Sequence, residues 1–189
     1  MIQVRLAAPR RAARVTGLIL GAALLRALLL PAGDLFGTIV FAACLLGISW
    51  FERESATNES RWGGGRSLVT GLMVGAVLLA PVVSGPFSAR PLSAFVPWAA
   101  IAALIATLEE TSIRGVLYRR WAGEAGTVVA IVVGAAVFAL IHLPRYGLVA
   151  MPLDAAVGLA LGGLRALTGR VLPCAVAHTV ADWGAWFWA

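Results

Sequence analysis

The sequence predicts an all-α fold, a polytopic membrane helix bundle of about seven transmembrane helices, and three observations predict it. Its 189 residues are 60% hydrophobic and only 13% charged, with a mean hydropathy of +0.90. A soluble domain of this length needs polar surface over most of its outer face, and that share of charge cannot supply it. The apolar residues are also gathered into runs close to the roughly 17 to 25 residues that a bilayer core demands. Short segments rich in Arg, Gly, Pro and Ser separate the runs.

At the N-terminus, Arg5, Arg10, Arg11 and Arg14 precede the run Val15 to Leu30, a layout that signal peptides share. No small-x-small cleavage site follows at Leu30-Pro31-Ala32-Gly33-Asp34, so a retained signal-anchor helix is expected. Arg26, near its outer end, is placed to snorkel. A second run, Leu35 to Phe51, closes on Trp50, a residue type enriched at membrane interfaces. Glu52 to Arg66, with Asn58, Ser60 and Gly63 to Gly65, reads as a flexible loop. It divides residues 1–67, an N-terminal membrane hairpin with a cytoplasmic loop, from residues 68–189.

The second part holds a third span over Leu68 to Ser84, a turn over Gly85 to Ser93, and a fourth span from Phe95 to Trp121. Thr127 to Leu143, Ala150 to Leu167 and Val171 to Trp188 make the fifth, sixth and seventh. Only Thr168-Gly169-Arg170 separates the last two, which predicts a tight hairpin. No internal repeat is evident. The pairs Gly17 and Gly21, Gly71 and Gly75, and Gly158 and Gly162 would permit close helix packing.

The 15 basic residues are all Arg, and against 9 acidic ones they give a net charge of +6. On a membrane chain, orientation and contact with anionic lipid explain such charge, so no nucleic acid partner is expected. The N-terminal four, Arg53, Arg61, Arg66, Arg119, Arg120, Arg165 and Arg170 fall on one side, and Arg90 and Arg145 on the other. The rich side is then cytoplasmic, with the N-terminus in and the C-terminus out, as in a bacterial inner membrane. Ideal helices would leave His142 near the outer end of the fifth span. A short, broken or tilted helix is therefore expected there if His142 is to meet Glu109. Cys44 and Cys174 both lie in apolar runs, where a small buried hydrophobe is the ordinary role and no disulfide is expected.

The anomaly is Leu108 to Tyr118, reading L-E-E-T-S-I-R-G-V-L-Y, which puts Glu109, Glu110 and Arg114 inside an apolar span. Charge at that depth is costly and marks function by default. A helix turns about 100° per residue, so the two acids point apart, whereas Glu110 and Arg114 stack four apart on one face. Pairing these two leaves Glu109 as the uncompensated acid, suited to take and return a proton. The bland alternative has Glu109 paired as well, or facing water at a helix end. The two histidines, His142 and His178, also lie in apolar spans. Phe138 precedes His142 by one turn, and Asp182 follows His178 at the i,i+4 spacing, from which it could orient that ring or join it in binding a water or a metal.

This set resembles the CPBP family, which contains the Rce1-type CAAX prenyl proteases and bacterial bacteriocin-processing and self-immunity (Abi) proteins. EExxxR reads Glu109-Glu110-Thr111-Ser112-Ile113-Arg114, FxxxH reads Phe138-Ala139-Leu140-Ile141-His142, and an HxxxN variant reads His178-Thr179-Val180-Ala181-Asp182. Gly158 to Pro173 is similar to the segment that leads into the third motif. The resemblance covers about Leu68 to the C-terminus, making residues 68–189 the catalytic bundle. It implies an intramembrane endopeptidase in which Glu109 activates a water with His142, while His178 and residue 182 support the oxyanion. The substrate would be a membrane-tethered or hydrophobic-tailed peptide or protein. Asp182 departs from the usual Asn, since an amide can donate to an oxyanion and an ionised Asp only accepts.

No cofactor is favoured, but Glu109, His142, His178 and Asp182 are also a zinc set with a water in the open position. Cys174, one turn before His178, offers a thiol nucleophile, and an ordinary small apolar residue is the preferred reading of it. Two further classes stand beside the protease. One is a non-proteolytic membrane scaffold or immunity protein whose polar cluster only locks helices together. The other is a transporter, which the short chain and the lack of paired broken helices disfavour.

Overall fold

The computed structural model describes residues 10–52, 62–81, 83, 87 and 90–188, and helix is the only regular structure among them. α1 (Arg10–Leu29) and α2 (Asp34–Phe51) form a hairpin through the 3-10 turn Leu30–Ala32. α3 (Gly64–Leu78) follows. α4 (Leu92–Glu110) runs through a π-helical stretch, Thr111–Leu117, into α5 (Tyr118–Ala125). The last two helices are α6 (Thr127–Thr168) and α7 (Leu172–Ala185). The connection expected over Glu52 to Arg66 lies mostly outside the described residues, as do Arg5 and much of the turn expected over Gly85 to Ser93.

Four helical segments are long and apolar enough to cross a membrane: Arg10–Ala32, Asp34–Phe51, Leu92–Ala125 and Thr127–Thr168. The last is two helices in one. Gly147, at φ 72 and ψ −179, reverses the chain in a conformation that costs a side-chain-bearing residue dearly. Residues 127–146 and 148–168 then lie antiparallel, because a Cβ on Gly158 would meet the Ala135 Cα at 2.7 Å and one on Gly162 the Ile131 Cα at 3.4 Å. The expected fifth and sixth spans are these two arms.

The expected third and seventh spans are shorter than the sequence suggested. α3 has 15 residues and α7 has 14, about 22 and 21 Å at a rise of about 1.5 Å per residue. α3 gives way to a turn before Pro81, which has no N–H with which to continue a helix, and α7 carries Pro173 in its first turn. The two short helices lie side by side and parallel. Cβ atoms on Gly71 and Gly75 would stand 2.7 Å from the Cβ atoms of Val176 and Val180, and Gly184 abuts Leu79 at the same offset. Of the three small-residue pairs, two make close helix contacts, while Gly17 and Gly21 face nothing within 4 Å.

The N-terminal hairpin packs directly on the segment that carries the charges. Val15, Ile19, Phe41 and Leu45 form one core with Ile113, Leu117, Phe138 and Ile141. Polar links fasten one end of the hairpin to the α4–α5 segment: Trp121 Nε1 donates to Thr16 Oγ1 at 3.1 Å, and Glu52 receives Arg14 at 2.5 Å and Arg120 at 3.5 Å. Arg26 reaches toward the turn between α1 and α2, its Nη2 3.8 Å from Asp34 Oδ1. Its Nη2 donates to Thr38 Oγ1 on α2 at 3.2 Å, and its guanidinium lies 5.3 Å from the Phe41 ring.

Candidate active site

The register of one hairpin brings the first two motifs together. Glu109 stands sixteen residues before the end of α5, and His142 fifteen after the start of α6. Gly126, at φ 92, joins the two helices, so equal lengths of chain lead from the turn to both residues. The helix carrying Glu109 is longer than a bilayer is thick, which is why His142 meets it without lying unusually deep. The expected break does occur, but at Gly147, beyond His142.

Glu109 and Glu110 are both buried, 3% and 0% exposed, and point in different directions. Glu110 Oε1 accepts from Arg114 Nη1 at 2.9 Å, the pairing expected from the i,i+4 spacing. Arg114 also donates through Nη2 to the Gly158 carbonyl at 3.1 Å and lies 4.6 Å from the Phe138 ring. The π-helical stretch inserts extra backbone directly after the acids, a distortion common at functional sites. It is held from two sides. Ser112 Oγ hydrogen bonds with Ser49 Oγ at 2.9 Å, and Arg165 Nε donates to the Arg114 carbonyl at 2.8 Å.

Each histidine is fixed by its Nδ1. His142 Nδ1 donates to the Phe138 carbonyl at 2.8 Å, and His178 Nδ1 to Glu110 Oε1 at 3.0 Å. A carbonyl and a carboxylate can only accept, so Nδ1 carries a proton in both rings and Nε2 is the atom left facing away from these fixed partners. Both Nε2 atoms face Glu109 Oε2, each at 3.9 Å. Phe138 packs between them, its ring centroid 4.4 Å from that of His142 and 5.2 Å from that of His178.

Asp182 is placed differently from the sequence expectation. Its Oδ1 lies 3.7 Å from His178 Nε2, too far for a hydrogen bond, and its side chain is 38% exposed. Glu110, from another helix, orients His178 instead. Glu109, His142 and His178 each offer a ligand atom, all within 4.8 Å of one another. Asp182 stands outside that group, so three of the four candidate metal ligands are gathered. Two imidazoles with Nδ1–H held by acceptors, together with one carboxylate, are a donor set that fits zinc. Ligand atoms around a tetrahedral zinc stand about 3.3 Å apart, and those around one hydrogen-bonded water about 4.5 Å apart. The observed 3.9 Å lies between, within a few tenths of an ångström of either by side-chain rotation.

Cys44 and Cys174 are free thiols. Cys174 is fully buried among Leu161, Leu164 and Ala177, and its Sγ donates to the Leu161 carbonyl at 3.4 Å, a packing role. Sequence reasoning passed over Asp154, the acid in the second arm of α6. It lies within Coulombic reach of His142, His178 and Glu109. The signal that would have found it is the one that found Glu109, an acid inside an apolar span.

No curated protein and no solved structure matches the chain. Residues 91–184, close to half of the chain, match the family model described as type II CAAX prenyl endopeptidase Rce1-like. That segment contains all three motifs and every residue of the cluster. The long apolar helices that carry it are those of an integral membrane protein. Over residues 91–184, then, the chain is similar to the Rce1-like type II CAAX prenyl endopeptidases.

Proposed function

We propose that this protein hydrolyses a peptide bond in a membrane-associated substrate, with Glu109 as the general base that activates a water. One observation carries the reading: both histidine Nε2 atoms converge on Glu109 Oε2 at 3.9 Å beside two buried carboxylates. A water held among these three atoms has its hydrogens directed to acceptors and an oxygen lone pair free for attack. As it adds to the scissile carbonyl carbon, Glu109 takes its proton and later returns it to the leaving amine nitrogen as the C–N bond breaks. His142 accepts the second hydrogen and orients the attack. When His178 carries both protons, Nε2–H is the donor for the oxyanion and Glu110 is its countercharge. Arg114 holds Glu110 in place for that task. The Arg distribution supports a cytoplasmic N-terminus. An impermeant reagent that labelled a cysteine introduced at Arg5 from outside the cell would reverse that orientation.

The gathered donor set favours a second reading, in which Glu109, His142 and His178 hold a zinc ion. The ion would supply Lewis acidity and a nucleophilic water at neutral pH. Glu109 would then be a ligand rather than a base. The two are separated by metal analysis of purified protein with chelation and add-back: the glutamate reading expects full turnover in excess chelator, and a stoichiometric, restorable metal requirement would replace it with the zinc reading. The proteolytic function itself is tested by comparing membrane peptides from wild-type and Glu109→Gln cells. Uncleaved precursors should accumulate in the variant. Identical peptide profiles would leave a locked, non-proteolytic bundle as the better account.

A further inference from the structure

Asp154 brings to the site a half-buried acid that the mechanism above does not use. It lies on the same helix face as Gly158 and Gly162, at four-residue spacing, and those glycines press on Ala135 and Ile131 of the opposing arm. Continuing that register by one turn sets Asp154 opposite residue 139, between Phe138 and His142 in the chain. Its Oδ2 is buried and has no hydrogen-bond partner among the described residues. An acceptor in that condition costs about 1–3 kcal/mol, and a fold does not retain it for stability. No donor among the described residues meets it, so a bound ligand is what can supply the complement it lacks.

A peptide bound across Glu109, His142 and His178 carries such donors. Away from water, each of its backbone N–H groups needs an acceptor. We propose that Asp154 is a substrate-binding residue, whose buried Oδ2 accepts a hydrogen bond from a backbone N–H of the peptide beside its scissile bond. The inference rests on the proteolytic reading above. Glu109 and Asp154 Oδ2 are both closed to solvent, so a peptide must open the site to meet either. The bond forms with bound substrate and persists through the reaction, so it acts on KM and leaves kcat alone.

The experiment uses the full-length protein in detergent micelles and a fluorescence-quenched peptide ending in a farnesylated CAAX sequence, with Asp154→Ala and Asp154→Asn. Asp154→Ala should raise KM about tenfold or more with kcat within about twofold. Asp154→Asn keeps a carbonyl acceptor and should recover KM to within about threefold of wild type. Thermal unfolding should occur at or above the wild-type temperature in Asp154→Ala, because an unpartnered polar atom is removed. Three results would overturn the proposal: an unchanged KM, a fall in kcat at constant KM, or a clear loss of thermal stability in Asp154→Ala. If the wild-type protein cleaves no such peptide, the proteolytic reading fails for lipid-tailed peptides and this inference falls with it. Cleavage with an unchanged KM sinks the inference alone.

Discussion

Glu110 Oε1 accepts from Arg114 at 2.9 Å and from His178 at 3.0 Å, whereas Glu109, its neighbour in the chain, has two histidine nitrogens at 3.9 Å and a hydrogen bond to neither. Burial is the same for both, so the difference lies in what each carboxylate meets. One acid is neutralised by fixed groups of the protein and serves as scaffold. The other faces two ring nitrogens at a distance that a reacting atom can bridge. His178 belongs to both regions, with Nδ1 bound to the scaffold and Nε2 facing the reactive gap. A rigid ionic network therefore aims the part of the site that does chemistry.

The largest effect that separates the two regions should come from exchanging each acid for its amide. Glu109→Gln should lower turnover by about 10² to 10⁴-fold, the usual contribution of a general base, while unfolding at nearly the wild-type temperature. Glu110→Gln should instead lower stability by about 1.5–3 kcal/mol, the worth of hydrogen bonds to a charged group. Activity assays and denaturant titration of the same preparations read both quantities. If Glu109→Gln proved the destabilised variant and kept its activity, the assignment of scaffold and reactive acid would be reversed.

Arg114→Met probes the scaffold alone. Removing one partner of a buried pair leaves an uncompensated charge and typically costs about 3–5 kcal/mol. The Glu110→Gln/Arg114→Met double variant should recover part of that loss, since the residual charge is gone. A double variant no more stable than Arg114→Met would mean that the guanidinium acts mainly through the Gly158 carbonyl and the Phe138 ring.

The scaffold was more legible in the sequence than the gap. The pairing of Glu110 with Arg114 follows from helical geometry within one segment, so four-residue spacing was enough to expect it. The same rule told only part of the story at His178. Asp182 shares its helix at that spacing and comes to 3.7 Å from Nε2, while Glu110 arrives from another helix to hydrogen bond Nδ1. Local spacing carries no information about such tertiary partners. The antiparallel arms of α6 were expected as separate spans because Leu143 to Ala150 interrupts the apolar run, although nothing singled out Gly147 as the point of reversal. The π-helical stretch left no mark in composition, since its support comes from Ser49 and Arg165, far away in the chain. Spans three and seven were overestimated because apolar residues continue past the points where helix stops.

The smallest expected effects concern how His178 is held between the two regions. α7 carries that ring, and Gly75 lets α3 approach α7 so closely that a Cβ would stand 2.8 Å from the Ala177 carbonyl. Gly75→Ala forces the helices apart, costing about 1–3 kcal/mol as overpacking does. The ring must then move with its helix. A shift near 1 Å at a catalytic group costs up to about 10²-fold in rate, so turnover should fall more than stability alone explains. Gly17→Ala is the control, because nothing lies within 4 Å of its added methyl. It should leave turnover unchanged and shift stability by less than about 1 kcal/mol toward the folded state, the helix-propensity gain of Ala over Gly. Equal turnover in the two variants would show that the gap tolerates displacement of α7, and that Glu109 and His142 alone set its geometry.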